Sequence, residues 1–119
     1  MGIFNALFAG VNGINSNGNA IAVVGDNISN VNTTGFKASA AAFEDILAGA
    51  DSNVGLGSRI SDVVSQFSQG GFESTSNVTD LAIDGNGFFV VTSATDSSTY
   101  YSRNGQFHLD KNGFIHHTD

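Results

Sequence analysis

The first 34 residues carry an apolar pattern that constrains the fold more strongly than any other feature of the sequence. Apolar side chains recur there at intervals of three, four or seven residues, and this spacing places them along one side of an α-helix. We call this stripe the seam; it consists of Phe4, Leu7, Val11, Ile14, Ile21, Val24, Ile28 and Val31. The sequence therefore predicts a long amphipathic N-terminal helix of the coiled-coil type over residues 1–34.

The residues between the seam positions oppose a helix that stands alone. They are mostly Asn, Ser, Gly and Ala, and Asp26 is the only charged residue among them. Gly10, Gly13, Gly18 and Gly25 together cost roughly 4 kcal/mol relative to alanine, which outweighs the stability of a marginal isolated helix. We therefore expect a conditional helix that is disordered in the free chain and becomes ordered when a partner covers the seam.

An ordinary amphipathic helix, with its seam packed on its own domain, is the alternative to a conditional helix. The periodicity alone fits both arrangements equally well. The low charge and high asparagine content of the segment favour burial of the seam against other subunits.

Residues 35–58 are predicted to connect the helix to the rest of the chain. Asn and Thr residues crowd before Gly35, and this composition predicts a left-handed stop at the helix end. Residues 38–47 are predicted to form one or two helical turns, and a loop rich in Gly and Ser follows them. Gly55 and Gly57 make this connector a predicted hinge between the helix and the domain that comes next.

Residues 59–119 change to a pattern that is typical of short β-strands separated by turns. Predicted strands lie at residues 60–67, 81–83, 88–92, 99–102, 106–109 and from 114 onward. Asn104-Gly105 predicts a short hairpin. The predicted fold class is therefore α+β, with the long helix and connector followed by a small antiparallel β domain. Because the last predicted strand is cut short, we expect this domain to be completed by further chain.

Charge and cysteine content narrow the classes of function. The 119 residues include 11 Asp or Glu but only 4 Lys or Arg, which gives a formal net charge of −7. A surface so poor in cations argues against nucleic acid and acidic membranes as partners. The lack of cysteine excludes a disulfide framework and a thiolate metal site. We find neither a cleavable secretory peptide nor an apolar run long enough to span a membrane, and we expect no membrane insertion.

The chain offers little that is typical of a catalytic or metal site. Its imidazoles are His108, His116 and His117, and the adjacent pair is best interpreted as a solvated strand end. Two turns that each begin with an Asp, at residues 84–87 and 110–113, lack the complete ligand set of a calcium loop. We therefore expect no enzyme activity and no cofactor or metal.

Arg59 and Arg103 stand out because cations are scarce in this chain. We expect each of them to pair with an Asp of a neighbouring loop or subunit. Exposed pairs of this kind contribute about 0–1 kcal/mol, so their expected role is to set register and orientation.

Three segments resemble the ordered signatures of bacterial flagellar rod and hook proteins. Residues 26–37 (DNISNVNTTGFK) are similar to the N-terminal pattern of that family, which is close to NN(I/L)ANxxTxGFK, although Asp and Ser replace one Asn and the Ala. Residues 80–91 (DLAIDGNGFFVV) and 101–113 (YSRNGQFHLDKNG) resemble the second and third signatures. The signature residues are Asn27, Asn30, Thr34, Gly35, Phe36, Lys37, Gly85, Gly87, Phe88, Phe89, Arg103, Gly105 and Phe107.

This resemblance implies a structural subunit of the flagellar hook, which assembles with copies of itself into a helical tube and acts as a flexible, torque-transmitting joint between rod and filament. The short linker and the YSRNGQF segment favour the hook, and a distal or proximal rod subunit is the alternative. The implied partners are further copies, other axial and hook-associated proteins, the cap and the export apparatus.

The resemblance also implies an extracellular place at the basal body and hook, reached by export without a cleaved signal. The chain then corresponds to the N-terminal part of a longer protein, whose C-terminal helix pairs with the N-terminal one in the inner tube. The alternative from a different class of function is a calcium- or carbohydrate-binding β module. Such a module has no need of the seam and requires ligand loops that this sequence lacks.

Overall fold

The computed structural model describes residues 2–47 and 55–117, which form one helix and six short strands. These elements are α1 (Gly2–Ser29), β1 (Ser39–Asp45), β2 (Ser58–Ser65), β3 (Phe89–Thr92), β4 (Thr99–Ser102), β5 (Phe107–Leu109) and β6 (Ile115–His117). The strands pair in sequence order, β1 with β2, β3 with β4 and β5 with β6, as three antiparallel two-stranded sheets. The predicted α+β class, with its N-terminal helix and antiparallel strands, is confirmed.

The chain divides into two compact units. The first unit combines residues 1–31 with residues 37–67, and it contains α1 and the β1–β2 hairpin. The second unit combines residues 32–36 with residues 68–119, and it contains the other two hairpins. The domain boundaries that the sequence suggested stay a prediction.

The helix ends at Ser29, so the predicted helix end at residue 34 is wrong. The amide of Val31 donates to the carbonyl of Ile28 at 3.2 Å, a tightening that is common in the last turn of a helix. Gly35 has the predicted left-handed conformation, with φ of +77°. However, it lies beyond the helix and serves a close packing contact in the second unit rather than a helix stop.

Strand β1 occupies residues for which the sequence predicted one or two helical turns, and that prediction is wrong. Its three consecutive alanines favour a helix by intrinsic propensity. In the structure β1 pairs with β2 from Ser39↔Ser65 to Asp45↔Ser58, with a bulge between Ala42 and Phe43. The long ladder of cross-strand contacts therefore overrides the local propensity. The predicted strand over residues 60–67 is confirmed as β2.

In the second unit, residues 81–83 and 104–105 do not form the strand and the hairpin that the sequence predicted. Strand β4 pairs with β3 and strand β5 pairs with β6, so no hairpin joins β4 to β5. Instead, the backbones of these two segments lie against each other, and the amide of Leu81 donates to the carbonyl of Gly105 at 2.9 Å. The Asn-Gly step thus permits a close backbone contact instead of forming a tight turn.

The apolar core of the described residues is small. Phe107 is their one buried hydrophobic residue, with 7% of its surface exposed. Its ring meets Phe89 edge-on at a centroid distance of 5.2 Å and His117 at 5.7 Å. These contacts tie β3, β5 and β6 together in the second unit. The helix in the first unit contributes none of its apolar side chains to a comparable core.

Candidate assembly surface

The side of α1 that packs on this chain is formed by polar and small residues, among them the half-buried Ala9, Ala20 and Val23, and polar residues make its hydrogen bonds. Asn12 Nδ2 donates a hydrogen bond to the carbonyl of Leu56 at 3.0 Å. Ser16 Oγ lies 2.6 Å from the carbonyl oxygen of Ser58, and Ser16 is the buried residue of the helix. Both helix residues therefore bind backbone atoms where the chain enters β2.

Asn27 makes a second polar contact, near the C-terminal end of the helix. Its Nδ2 donates to the carbonyl of Ser39 at 2.7 Å, and its Oδ1 accepts from the amide of the same residue at 2.9 Å. Both polar atoms of the carboxamide thus bond to the backbone of the same residue, which is the first residue of β1.

Gly57 allows the backbone beside Asn12 and Ser16 to approach the helix closely. A Cβ atom built at Gly57 would lie 2.8 Å from the carbonyl oxygen of Ala9, and its φ of +94° favours glycine. This part of the predicted connector is therefore docked on the helix. The glycine- and serine-rich loop at residues 48–54, where the hinge is also expected, lies outside the described residues.

The seam is open to solvent. Each of its eight residues has between 46% and 75% of its surface exposed. Ile3 and Phe8, which the sequence pattern left out, add to this surface with 80% and 61% exposed. Val31 lies beyond the helix end, so the helical part of the seam runs from Phe4 to Ile28.

The open seam and the packed polar residues lie on opposite sides of α1. Successive residues of an α-helix turn by about 100°, which separates the mean direction of Asn12, Ser16 and Asn27 from that of the seam by roughly half a turn. A helix that packs on its own domain normally buries its apolar side. The reverse arrangement here leaves the apolar side of the helix uncovered by the described residues, and what covers the seam stays a prediction.

Three glycines on the seam side have no packing role within the chain. A Cβ atom at Gly10, Gly18 or Gly25 would meet no atom within 4 Å. Alanine would fit at each position and would favour the helix by about 1 kcal/mol. The cost of these glycines is therefore not explained by contacts inside the described residues.

The second unit brings residues 32–36 of the first family-like segment together with the second and third segments. Gly35, from the first segment, lies so close to the third that a Cβ atom would be 2.6 Å from the Arg103 carbonyl carbon and 2.8 Å from the amide nitrogen of Asn104. Its φ of +77° also excludes most other residues. Gly35 thus joins residues 32–36 to the segment that follows β4.

Arg103 links the third segment to the second. Its guanidinium donates to the carbonyl of Gly85 at 2.7 Å and lies 5.5 Å from the ring centroid of Phe88, a cation–π contact. The Nε atom is buried without a hydrogen-bond partner among the described residues. Among the described residues, Arg103 contacts a carbonyl and an aromatic ring instead of the predicted Asp, and pairing with an Asp of a neighbouring subunit stays a prediction.

Gly105 provides the tightest contact between the second and third segments. A Cβ atom there would overlap the carbonyl oxygen of Leu81 and lie 3.0 Å from the ring of Phe89. The Phe89–Phe107 ring contact lies in the same unit. The glycines and aromatic residues of the signatures therefore build one cluster, which fixes the shape of the second unit.

The remaining signature residues serve local turns. Asn30 donates to the carbonyl of Asp26 at 3.0 Å, beyond the last helical turn. Thr34 and Phe36 belong to the segment that enters the second unit. Gly87 has a φ of +150° and lies in the bend before β3. Lys37 lies where the chain returns to the first unit.

The polar residues considered above as binding or catalytic candidates make contacts that hold the fold together. Arg59 forms a salt bridge with Glu44 of the adjacent strand, rather than with the expected Asp. His117 lies 3.2 Å from the carbonyl oxygen of Asn104 and contacts Phe107. Within residues 2–47 and 55–117, no group of three His, Asp or Glu side chains is placed to hold a metal ion. In the same ranges, no helix has the length and apolar character needed to cross a bilayer.

Sequence reasoning missed the polar contact surface of the helix and the packing role of Gly105. The contact residues do carry a recognisable pattern, because Asn12, Ser16 and Asn27 follow helical spacing on the side opposite the seam. Gly105 carries no comparable pattern. Its requirement comes from a chain crossing between residues that are distant in sequence, and the Asn-Gly step is equally typical of a hairpin turn.

Comparison with known proteins gives matches at both ends of the chain. Residues 7–37 match the family described as "Flagella basal body rod protein", and residues 82–119 match "Flagellar hook protein FlgE/F/G D1 domain". Among curated relatives, the flagellar hook protein FlgE of Brucella abortus is 43% identical over 115 residues, which covers 95% of this chain and 29% of the relative. The Escherichia coli protein of that name is 42% identical over 102 residues, covering 86% and 25%. The Helicobacter pylori protein is 35% identical over 129 residues, covering 95% and 18%.

The signature residues and these matches relate the chain to the axial proteins of the bacterial flagellum. The chain belongs to the flagellar rod and hook family. Its curated relatives named above are hook proteins, and it spans less than a third of their length.

Proposed function

We propose that this chain is a structural subunit of the bacterial flagellar hook, which assembles with copies of itself into a helical tube. The observation that carries this proposal is the reversed packing of α1. Its polar residues bind the chain's own hairpin, and its seam remains exposed. Covering one half-exposed aliphatic side chain of this size contributes about 1–2 kcal/mol. Covering the whole seam therefore contributes a large favourable free energy to association.

The helix is marginal in the free subunit and becomes stable on assembly. Its glycines cost roughly 4 kcal/mol, and its contacts inside the chain are a few hydrogen bonds worth about 1 kcal/mol each. Neighbouring subunits supply the missing apolar contacts. A subunit whose end orders late is also suited to passage through an export apparatus without a cleaved signal.

The assembled tube serves as a flexible joint that transmits torque between rod and filament, outside the cell. Its partners are further copies, other axial and hook-associated proteins, the cap and the export apparatus. The role is structural rather than catalytic. A rod subunit is the second candidate, because residues 7–37 match the rod protein family.

The substitution Ile21→Asp tests the role of the seam. Ile21 is 70% exposed in the free chain, so an aspartate fits there without disturbing the chain's own packing. In the polymer the same carboxylate is buried without a partner, which costs several kcal/mol. We expect the hairpins to fold and polymerisation to be blocked.

Asn19→Asp is the matched control, since Asn19 is exposed and lies away from the seam on the same helix. It adds the same charge and is expected to leave assembly intact. The measurement is electron microscopy of hooks in cells that carry either variant. Normal hooks from Ile21→Asp would refute the role assigned to the seam.

A further inference from the structure

Two separate groups of hydrogen bonds hold the β1–β2 hairpin on α1. At one end of the hairpin, Asn12 and Ser16 hold residues 56–58. At the other end, Asn27 holds Ser39, the first residue of β1. A rigid element that is attached at one end can still swing. Attachment at both ends fixes its direction along the helix.

The distance between these two attachments suits the lengths of the elements. Ser16 and Asn27 are 11 residues apart in α1, which corresponds to a rise of about 16 Å. The paired part of β1 runs from Ser39 to Asp45, the partner of Ser58, and extends about 20 Å. The strand therefore reaches both attachments when it lies at a moderate angle to the helix.

The chemistry at Asn27 demands a carboxamide. The side chain donates from Nδ2 and accepts at Oδ1, and both bonds go to the backbone of Ser39. An aspartate has no donor at neutral pH and would place its charge against a carbonyl oxygen. An alanine makes neither bond. Other helix asparagines, such as Asn17, bond only within the helix.

We propose that Asn27 is a positioning residue, which fixes the direction of the β1–β2 hairpin on the helix within each subunit. The consequence for the polymer rests on the proposed function. The helix and its hairpin repeat evenly along a helical polymer only when the hairpin has the same direction on the helix in every copy. Loss of the Asn27 contact leaves the hairpin attached at one end and lets its direction vary from copy to copy.

The test compares Asn27→Ala and Asn27→Asp with Asn19→Ala and Asn19→Asp in the full chain. Asn19 is exposed on the same helix and lies away from the seam, so its variants reproduce the change in helix propensity without touching the hairpin or the seam. We expect hydrogen exchange of the Ser39 amide to accelerate about tenfold in Asn27→Ala, with no change in the Asn19 variants. Asn27→Asp keeps an acceptor for that amide and loses only the donor, so its exchange should change less. Helix content by circular dichroism should be alike for the two alanine variants and for the two aspartate variants, which separates positioning from a general loss of stability.

The polymer supplies the second measurement. The Asn27 variants keep the seam, so we expect them to polymerise but to give a broader spread of helical repeat in electron micrographs than the Asn19 variants. Unchanged exchange at Ser39, or an unchanged helical repeat, overturns the proposal. If the unaltered protein itself forms no polymer, the proposed function fails, and the Ser39 exchange in the free chain alone decides the role of Asn27.

Discussion

Alanine substitutions at the three seam glycines should strengthen the helix and weaken assembly at the same time. In the free chain, a Cβ atom at Gly10, Gly18 or Gly25 meets nothing within 4 Å. Each substitution therefore gains about 1 kcal/mol of helix propensity, and the triple variant gains about 3 kcal/mol. That gain shifts the equilibrium between helix and coil by about 150-fold.

In the polymer, the same three methyl groups enter the surface that we assign to neighbouring helices. Overpacking a close contact costs about 1–3 kcal/mol for each site. We expect the concentration needed for polymerisation to rise at least tenfold, which corresponds to about 1.4 kcal/mol, although the helix itself is now more stable.

Circular dichroism of the free chain and sedimentation of the polymer measure the two effects separately. Gly13→Ala is the control, because Gly13 lies about a quarter turn from the seam and its Cβ also meets open space. It should raise helix content and leave polymerisation unchanged. A triple variant that gains helix and still polymerises normally would refute close helix contact at these glycines. A triple variant that gains no helix would refute the account of a helix that is marginal in the free chain.

Two further predictions concern the second unit. Gly105→Ala should destabilise the second unit by roughly 3 kcal/mol in urea unfolding, because the added Cβ overlaps the carbonyl of Leu81. Gly71→Ala is the control, since a Cβ there meets no atom within 4 Å, and it should change stability by less than about 0.5 kcal/mol. Hydrogen bonds from the Ser93 hydroxyl, and from the amide and hydroxyl of Ser98, lower the pKa of Asp96. This contribution to stability is therefore present above the ordinary pKa and disappears as the pH falls through the lowered one. Carboxyl NMR titration should place the pKa of Asp96 below the ordinary value and show it rising in Ser93→Ala, and an ordinary pKa in the unaltered chain would contradict this account.

The sequence predicts elements well where one strong periodicity decides the structure. The seam predicts the N-terminal helix because eight apolar residues share one helical side over many turns. The strands β3 and β4 follow from runs of β-branched and aromatic residues between turn signals. The signatures at residues 26–37, 80–91 and 101–113 identify the family because they occur together and in order.

The sequence fails where contacts between distant residues decide the structure. Strand β1 has alanines that favour a helix, and only its pairing with β2 makes it a strand. The helix ends at Ser29, two residues before the first unit gives way to the second, whereas the predicted stop residue Gly35 lies in the second unit. The contact of Asn27 with Ser39 likewise depends on where the hairpin lies, which the local pattern of the helix does not contain.

Hydrogen exchange of residues 2–29, measured in the free chain and again in the assembled polymer, tests the central claim most directly. The free helix exposes its seam and holds the hairpin by a few polar contacts, so its amides should exchange rapidly there. Assembly covers the seam, and exchange should slow by at least a hundredfold, or about 2.7 kcal/mol. Equal exchange in the two states would show that the helix gains nothing from its neighbours, and it would contradict the account of the seam as the assembly surface.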